Sequence, residues 1–247
     1  MTTFAYISIF ALLGSLGAIA AAGIILLLPD SFTRRLVPHL ISYAIGTLLG
    51  AALLGMIPHA LESLAAGSVM ATVLAALIGF FVLESLVLWR HCHERDCPVH
   101  GTSGILILVG DAFHNFVDGL VIASAFVASM PVGVTASLAV IAHEIPQEAG
   151  DFGILLHSGY SRRKALVLNA LSASTTLVGA LLGYVGIQAL RAVAPYVLCV
   201  SAASFLYIAL ADLIPRRRGR KGLAALVVEL VLIAAGVMTI AVLRVHS

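Results

Sequence analysis

Two consecutive apolar runs decide the fold: GILILVGDAFHNFVDGLVIASAFVAS (Gly104–Ser129) and PVGVTASLAVIAHEIPQEAGDFGILLH (Pro131–His157). Each is longer than the roughly 20 residues needed to cross a bilayer core about 30 Å thick. Only Met130 and Pro131 are left to make a turn, so the two runs read as antiparallel helical neighbours. Each run also carries polar residues where lipid should be. The first has Asp111, His114, Asn115 and Asp118; the second has His143, Glu144, Gln147, Glu148 and Asp151. An ionisable group at the bilayer centre costs several kcal/mol and marks function by default.

The rest of the chain extends this reading. Its 247 residues are 61% hydrophobic and 11% charged, against about 45–50% apolar and about 25% charged in a soluble domain. That balance excludes a soluble globular domain, a disordered chain and a nucleic-acid binder. Three cysteines are too few for a disulfide framework. Eight stretches are long enough to span: 4–28, 37–61, 69–89, 104–129, 131–157, 165–190, 192–214 and 223–242. The expected fold class is an all-α membrane protein with eight transmembrane helices in one polytopic unit over residues 1–247. The first Lys or Arg is Arg34, and the stretch 4–28 is longer than a signal-peptide core, so it is expected to be a retained helix. Twelve of the fourteen Lys and Arg residues fall in loops 1, 3, 5 and 7; Arg191 and Arg244 are the other two. The positive-inside rule then puts the odd loops in the cytoplasm and both termini on the extracytoplasmic side. The chain is expected in the cytoplasmic membrane of a bacterium or the plasma membrane of another cell.

Spacing gives the polar runs a shape. His114 and Asp118 are i and i+4 on one helix face, with Asn115 one position round; His143 with Gln147 and Glu144 with Glu148 are further such pairs. Met130 lies 16 residues after His114 and 13 before His143, so both clusters stand at comparable depth near mid-membrane. Carboxylates gathered in low dielectric repel one another and lose solvation, and a divalent cation removes that penalty. Imidazole, carboxylate and amide oxygen together suit Zn, Fe, Co, Ni or Mn. Pro146 lacks an N–H and clashes with the Ala142 carbonyl, so a kink is predicted there. The same residues also allow interhelical hydrogen bonding or a proton channel. An intramembrane zinc hydrolase is a further alternative, because HEIPQ approaches the H-E-x-x-H pattern. It departs from that pattern at Gln147, which replaces the second His, and at Pro146.

HNFVDG (His114–Gly119) and HEIPQEAGDF (His143–Phe152) resemble the two signature motifs of the ZIP (Zrt-/Irt-like) family of divalent metal transporters. IPHALE (Ile57–Glu62), LNALSA (Leu168–Ala173) and FLYIALADLIP (Phe205–Pro215) also resemble family segments, in the right order. The resemblance implies transport of zinc, or of iron, manganese or cadmium, toward the cytoplasm by a homodimer, with no catalytic cofactor. It implies a two-metal site between helices 4 and 5. One ion would take His114, Asp118 and His143, the other Asn115 and Glu144. Position 147 would bridge them, with Glu148 close by. Gln147 departs from the commoner His or Glu, and a neutral amide is a poorer bridging ligand.

Other residues suit the ion's path. His59 and Glu62 close helix 2 on the expected outer side and are candidates for metal entry, or an ordinary polar helix end. The cytoplasmic segment 90–101, reading RHCHERDCPVH over Arg90–His100, offers His91, Cys92, His93, Cys97 and His100 for metal capture; a solvated linker is its plainer reading. Protonation of Glu144, Glu148 or Asp118 would provide a release switch. Gly46-x-x-x-Gly50 and Gly179-x-x-x-Gly183 are expected to let helices approach closely within the chain.

Overall fold

The computed structural model describes residues 2–91, 103–189, 193–216 and 222–245. These form eight helical segments, α1 (3–27), α2 (30–61), α3 (Ala66–His91), α4 (Ser103–Ala128), α5 (Met130–His157), α6 (162–189), α7 (194–216) and α8 (Leu223–Val245). Six of them contain stretches long and apolar enough to cross a membrane by length and composition alone. Neither α3 nor α5 is among those six. Among the described residues the apolar stretch of α3 runs Ala66–Val82, and α5 is diluted by its own polar run. The chain is an all-α integral membrane protein.

Three helices, α2, α3 and α6, start at least three residues earlier than the apolar pattern predicts, because hydrogen bonds and dipoles rather than hydropathy set helix ends. Helix α2 begins at Asp30, directly after Pro29, so Arg34 and Arg35 lie within it instead of in a loop. In α6 the Ser161 hydroxyl accepts the Lys164 N–H at 3.3 Å, so Arg162, Arg163 and Lys164 form the first turn. The α4–α5 turn is tighter than expected. Ser129 alone stands between the helices and accepts the Val132 N–H on its hydroxyl at 3.3 Å. Pro131 then sits in the first turn of α5, where its missing N–H costs nothing. Farther along, Pro146 lies inside an uninterrupted α5.

Helix α5 is the centre of the bundle and packs against α1, α2, α4, α6 and α8. Two pairs around it meet backbone to backbone. A Cβ on Gly46 would overlap the Ile233 carbonyl of α8, and one on Gly236 the Tyr43 carbonyl of α2. Likewise a Cβ on Gly119 would overlap the Thr176 carbonyl, and one on Gly179 the Phe116 carbonyl, at the α4–α6 contact. The small-residue motifs therefore serve packing within the chain, as expected. Tyr43 adds a hydrogen bond to Thr239 at 3.1 Å across α2 and α8. The outer surface is apolar: Leu226, Leu230 and Met238 on α8 and Leu74, Ile78 and Phe81 on α3 are all exposed. Outward apolar side chains over helices that satisfy their own backbone suit a lipid surround.

Candidate metal centre

The short turn sets α4 and α5 side by side, and the i, i+4 spacing brings their polar faces together. The His114 and His143 Nε2 atoms are 3.2 Å apart. The Asp118 Oδ2 atom lies 3.0 Å from His143 Nε2 and 3.8 Å from His114 Nε2. Glu144 Oε1 is 3.3 Å and 3.5 Å from the same two nitrogens. One donor atom from each of these four residues thus falls within a cluster whose members are all within 4.8 Å of one another. Asp118, His143 and Glu144 are completely buried, whereas the His114 side chain is 21% exposed.

Supporting contacts orient this cluster. His143 Nδ1–H donates to the Ala139 carbonyl at 2.9 Å, which assigns the Nε2 lone pair to the cluster. Phe205 of α7 packs edge-on against the His143 ring, with centroids 6.1 Å apart. Apart from the two imidazoles, whose Nε2 atoms lie 3.0–3.8 Å from Asp118 Oδ2 and Glu144 Oε1, the four carboxylate oxygens of Asp118 and Glu144 meet no hydrogen-bond donor. Buried carboxylates in that state cost several kcal/mol. Two imidazole nitrogens and two carboxylate oxygens aimed at one point fit a divalent transition-metal ion.

One helical turn away the polar residues are arranged differently. Asn115 donates from its amide to the Asp111 carbonyl at 3.2 Å and to Asp111 Oδ1 at 3.0 Å, and its own oxygen accepts from Thr176 at 2.8 Å. Gln147 donates to Asp111 Oδ1 at 3.4 Å. Asn169 donates to Glu148 Oε2 at 2.6 Å and to the Glu148 carbonyl at 3.2 Å. Ser172 and Thr175 tie α6 to the Leu108 and Ala112 carbonyls of α4 at 3.0 Å and 2.6 Å.

Against the sequence expectations, His114, Asp118 and His143 come together as one group. Glu144 joins them, at contact distance from both imidazoles, rather than standing apart with Asn115. Asn115, Gln147 and Glu148 lie in the neighbouring hydrogen-bonded region. Sequence reasoning gave no role to Asp111, Asn169 or Thr176. The available signal was a polar residue on the inward face of an otherwise apolar span, of which Asn169 and Thr176 are two.

His59 Nδ1 lies 3.2 Å from Glu62 Oε2, with the two side chains 28% and 65% exposed. They line a cleft of about 330 Å³ beside Gly55, Ser129, Val132 and Thr135, at the bundle end where α4 turns into α5. Cys92, His93, Cys97 and His100 lie outside the described residues, as does the side chain of His91.

The profile of the family described as "ZIP Zinc transporter" matches residues 89–244, which is more than half of the chain. The chain is 37% identical over 139 residues to "Zinc transporter ZIP10" of Homo sapiens, a match covering 51% of this chain and 17% of that protein. It is 45% identical over 111 residues to "Zinc transporter ZIP4" of Homo sapiens, covering 44% and 17%. To "Zinc transporter ZIP6" of Homo sapiens it is 39% identical over 122 residues, covering 49% and 16%. The chain therefore spans less than a fifth of the length of these curated relatives.

Proposed function

This chain belongs to the ZIP zinc transporter family, and from that premise we propose that it carries a divalent transition-metal ion, zinc first, across the bilayer into the cytoplasm. One observation carries the reading: His114, Asp118, His143 and Glu144 converge in a buried site whose carboxylate oxygens meet no donor but the two imidazoles. The ion is the cargo. The four donors replace its hydration shell at mid-membrane, and no covalent chemistry is needed. The bundle exposes this site to one side and then the other, in the general manner of membrane carriers. Because the ion must leave again, binding must be tight enough to strip water yet weak enough to release.

The entry and exit stations complete the path. His59 and Glu62, in the cleft at the α4–α5 end, collect the ion from outside. The segment 90–101, with His91, Cys92, His93, Cys97 and His100, receives it in the cytoplasm. Both termini are extracytoplasmic on this reading, and the working unit is a homodimer. Iron, manganese and cadmium are the competing cargoes, because the same donors accept them.

The test is zinc entry into proteoliposomes holding the purified protein and a trapped metal-sensing dye, with Asp118→Ala in parallel and iron, manganese and cadmium beside zinc. Saturable entry that disappears in Asp118→Ala is the expected result. Equal entry in wild type and variant overturns the assignment of the site.

A further inference from the structure

Helix α6 has two unlike faces. Inward, Asn169, Ser172, Thr175 and Thr176 hold α4 and α5 through hydrogen bonds. Outward, Val167, Leu171 and Val178 are 58%, 66% and 51% exposed. They follow Lys164 at steps of three, four and seven residues, so one stripe of the helix carries a cation at its start and apolar side chains beyond it. From Lys164 to Val178 the stripe runs roughly 20 Å at about 1.5 Å per residue. That exceeds half the thickness of a hydrocarbon core of about 30 Å.

The polar end of the stripe is a concentration of charge. Arg162, Arg163 and Lys164 are consecutive and exposed, and the first turn of α6 holds no acidic residue. Among the described residues no carboxylate is in ion-pair contact with any of the three. The Ser161 hydroxyl already caps the helix by accepting the Lys164 N–H, so the basic side chains, not the backbone, are left to meet an anion. The segment before them is fixed in place. Gly159 has φ 86°, and the Tyr160 N–H donates to the Leu155 carbonyl at 3.1 Å. The Lys164 ammonium lies 4.9 Å from the centre of the Tyr160 ring. An aromatic ring beside cations at the end of an apolar stripe suits the membrane–water boundary. Three adjacent cations repel one another, and an anion set among them removes that cost.

We propose that this outer face of α6 binds a phospholipid with an anionic headgroup. The headgroup meets Arg162, Arg163 and Lys164, and an acyl chain lies along Val167, Leu171 and Val178. A zwitterionic lipid offers the same chains without the net charge, so the surface selects by headgroup. The site is separate from the metal centre, and its preference holds whichever way the bundle faces in the membrane. A lipid seated here braces α6, whose other face holds the polar residues of α4 and α5.

The experiment uses the purified full chain in detergent with mixed phosphatidylcholine and phosphatidylglycerol. Retained lipid is counted by native mass spectrometry, and the thermal unfolding midpoint is read with each lipid alone. The variants are the triple substitution Arg162→Gln, Arg163→Gln and Lys164→Gln, the charge-keeping pair Arg162→Lys and Arg163→Lys, and Arg35→Gln, which removes an exposed cation of α2. Wild type is expected to retain phosphatidylglycerol over phosphatidylcholine and to gain midpoint from it. The triple variant should hold phosphatidylglycerol about 100-fold more weakly, the scale of three charges at an anionic membrane surface. Its midpoint in phosphatidylcholine should match wild type, and the gain from phosphatidylglycerol should vanish. The charge-keeping pair and Arg35→Gln should both behave as wild type. Equal retention of the two lipids by wild type overturns the proposal, as does an undiminished preference in the triple variant. An equal loss in Arg35→Gln overturns the assignment to α6. Soluble glycerophosphoglycerol is expected not to displace the lipid; displacement at equal concentration would reduce the site to a bare anion site and overturn the role of the apolar stripe.

Discussion

The two polar regions between α4 and α5 are one helical turn apart and are built in opposite ways. In the imidazole region four ligating atoms point at one place, and the carboxylates of Asp118 and Glu144 meet no donor but the two imidazoles. In the amide region Asn115, Gln147, Asn169 and Thr176 hold Asp111 and Glu148 in a network fed by a third helix, α6. The first region is expensive without an ion, because buried carboxylates with so few donors lose several kcal/mol of solvation. The second is partly supported by the fold, with one oxygen each of Asp111, Glu148 and Asn169 left without a partner. The two regions therefore differ in how far amide donors from neighbouring residues meet their carboxylates, a difference that residue type alone does not show.

Substitutions in the imidazole region should remove transport and spare the fold. His143→Ala is expected to reduce zinc uptake to background in cells expressing it at normal surface level; uptake at half the wild-type rate or more would show that His143 is not a ligand. The next largest effect lies on the other side of the comparison. Gly179→Val drives a side chain into the Phe116 carbonyl, separating α6 from α4 and withdrawing Asn169 and Thr176 from the amide region. Overpacking of this kind costs about 1–3 kcal/mol, so the thermal unfolding midpoint in detergent should fall, and an unchanged midpoint would detach α6 from the network.

A smaller change sharpens the contrast. Asp118→Asn removes the charge that faces His143 Nε2 at 3.0 Å, and loss of one partner of a buried pair destabilises, so the unfolding midpoint of chelator-treated protein should fall. Added zinc should raise the midpoint of wild type and leave that of the variant alone; an equal zinc-induced rise in both would remove Asp118 from the ligand set. The smallest effect is expected at the rim. His59→Ala, in a partly exposed pair of a kind worth little to stability, should raise the KM for zinc entry and leave the maximal rate unchanged. A lost maximal rate would move His59 from the entrance into the central pathway.

Much of the geometry of the polar cluster was readable in advance, and the residues show why. His114 and Asp118 had to share a face because they are i and i+4, and the short turn at Ser129 had to bring His143 level with them. The 3.2 Å approach of the two imidazoles follows from that counting. Glu144 was harder. It neighbours His143 in sequence and so projects on an adjacent stripe, and only the crossing of α4 over α5 shows that it still reaches both rings. Asn169 and Thr176 were not legible as part of the site. Nothing local separates a polar residue that serves a neighbouring helix from one that serves its own. The early starts of α2 and α6 were hidden for a related reason, since basic residues read as loop when hydropathy alone is counted.

By itself the sequence determined that this is a helical membrane protein, that its polar centre lies in α4 and α5, and which donor types the centre contains. Those properties depend on composition and on helical periodicity, which act over a few residues along one chain direction. The tertiary structure alone decided which carboxylates face the imidazoles and which are held by amides. That division depends on contacts between α4, α5 and α6 made by residues tens of positions apart, and hydrogen bonding is a property of the pair that meets rather than of either residue.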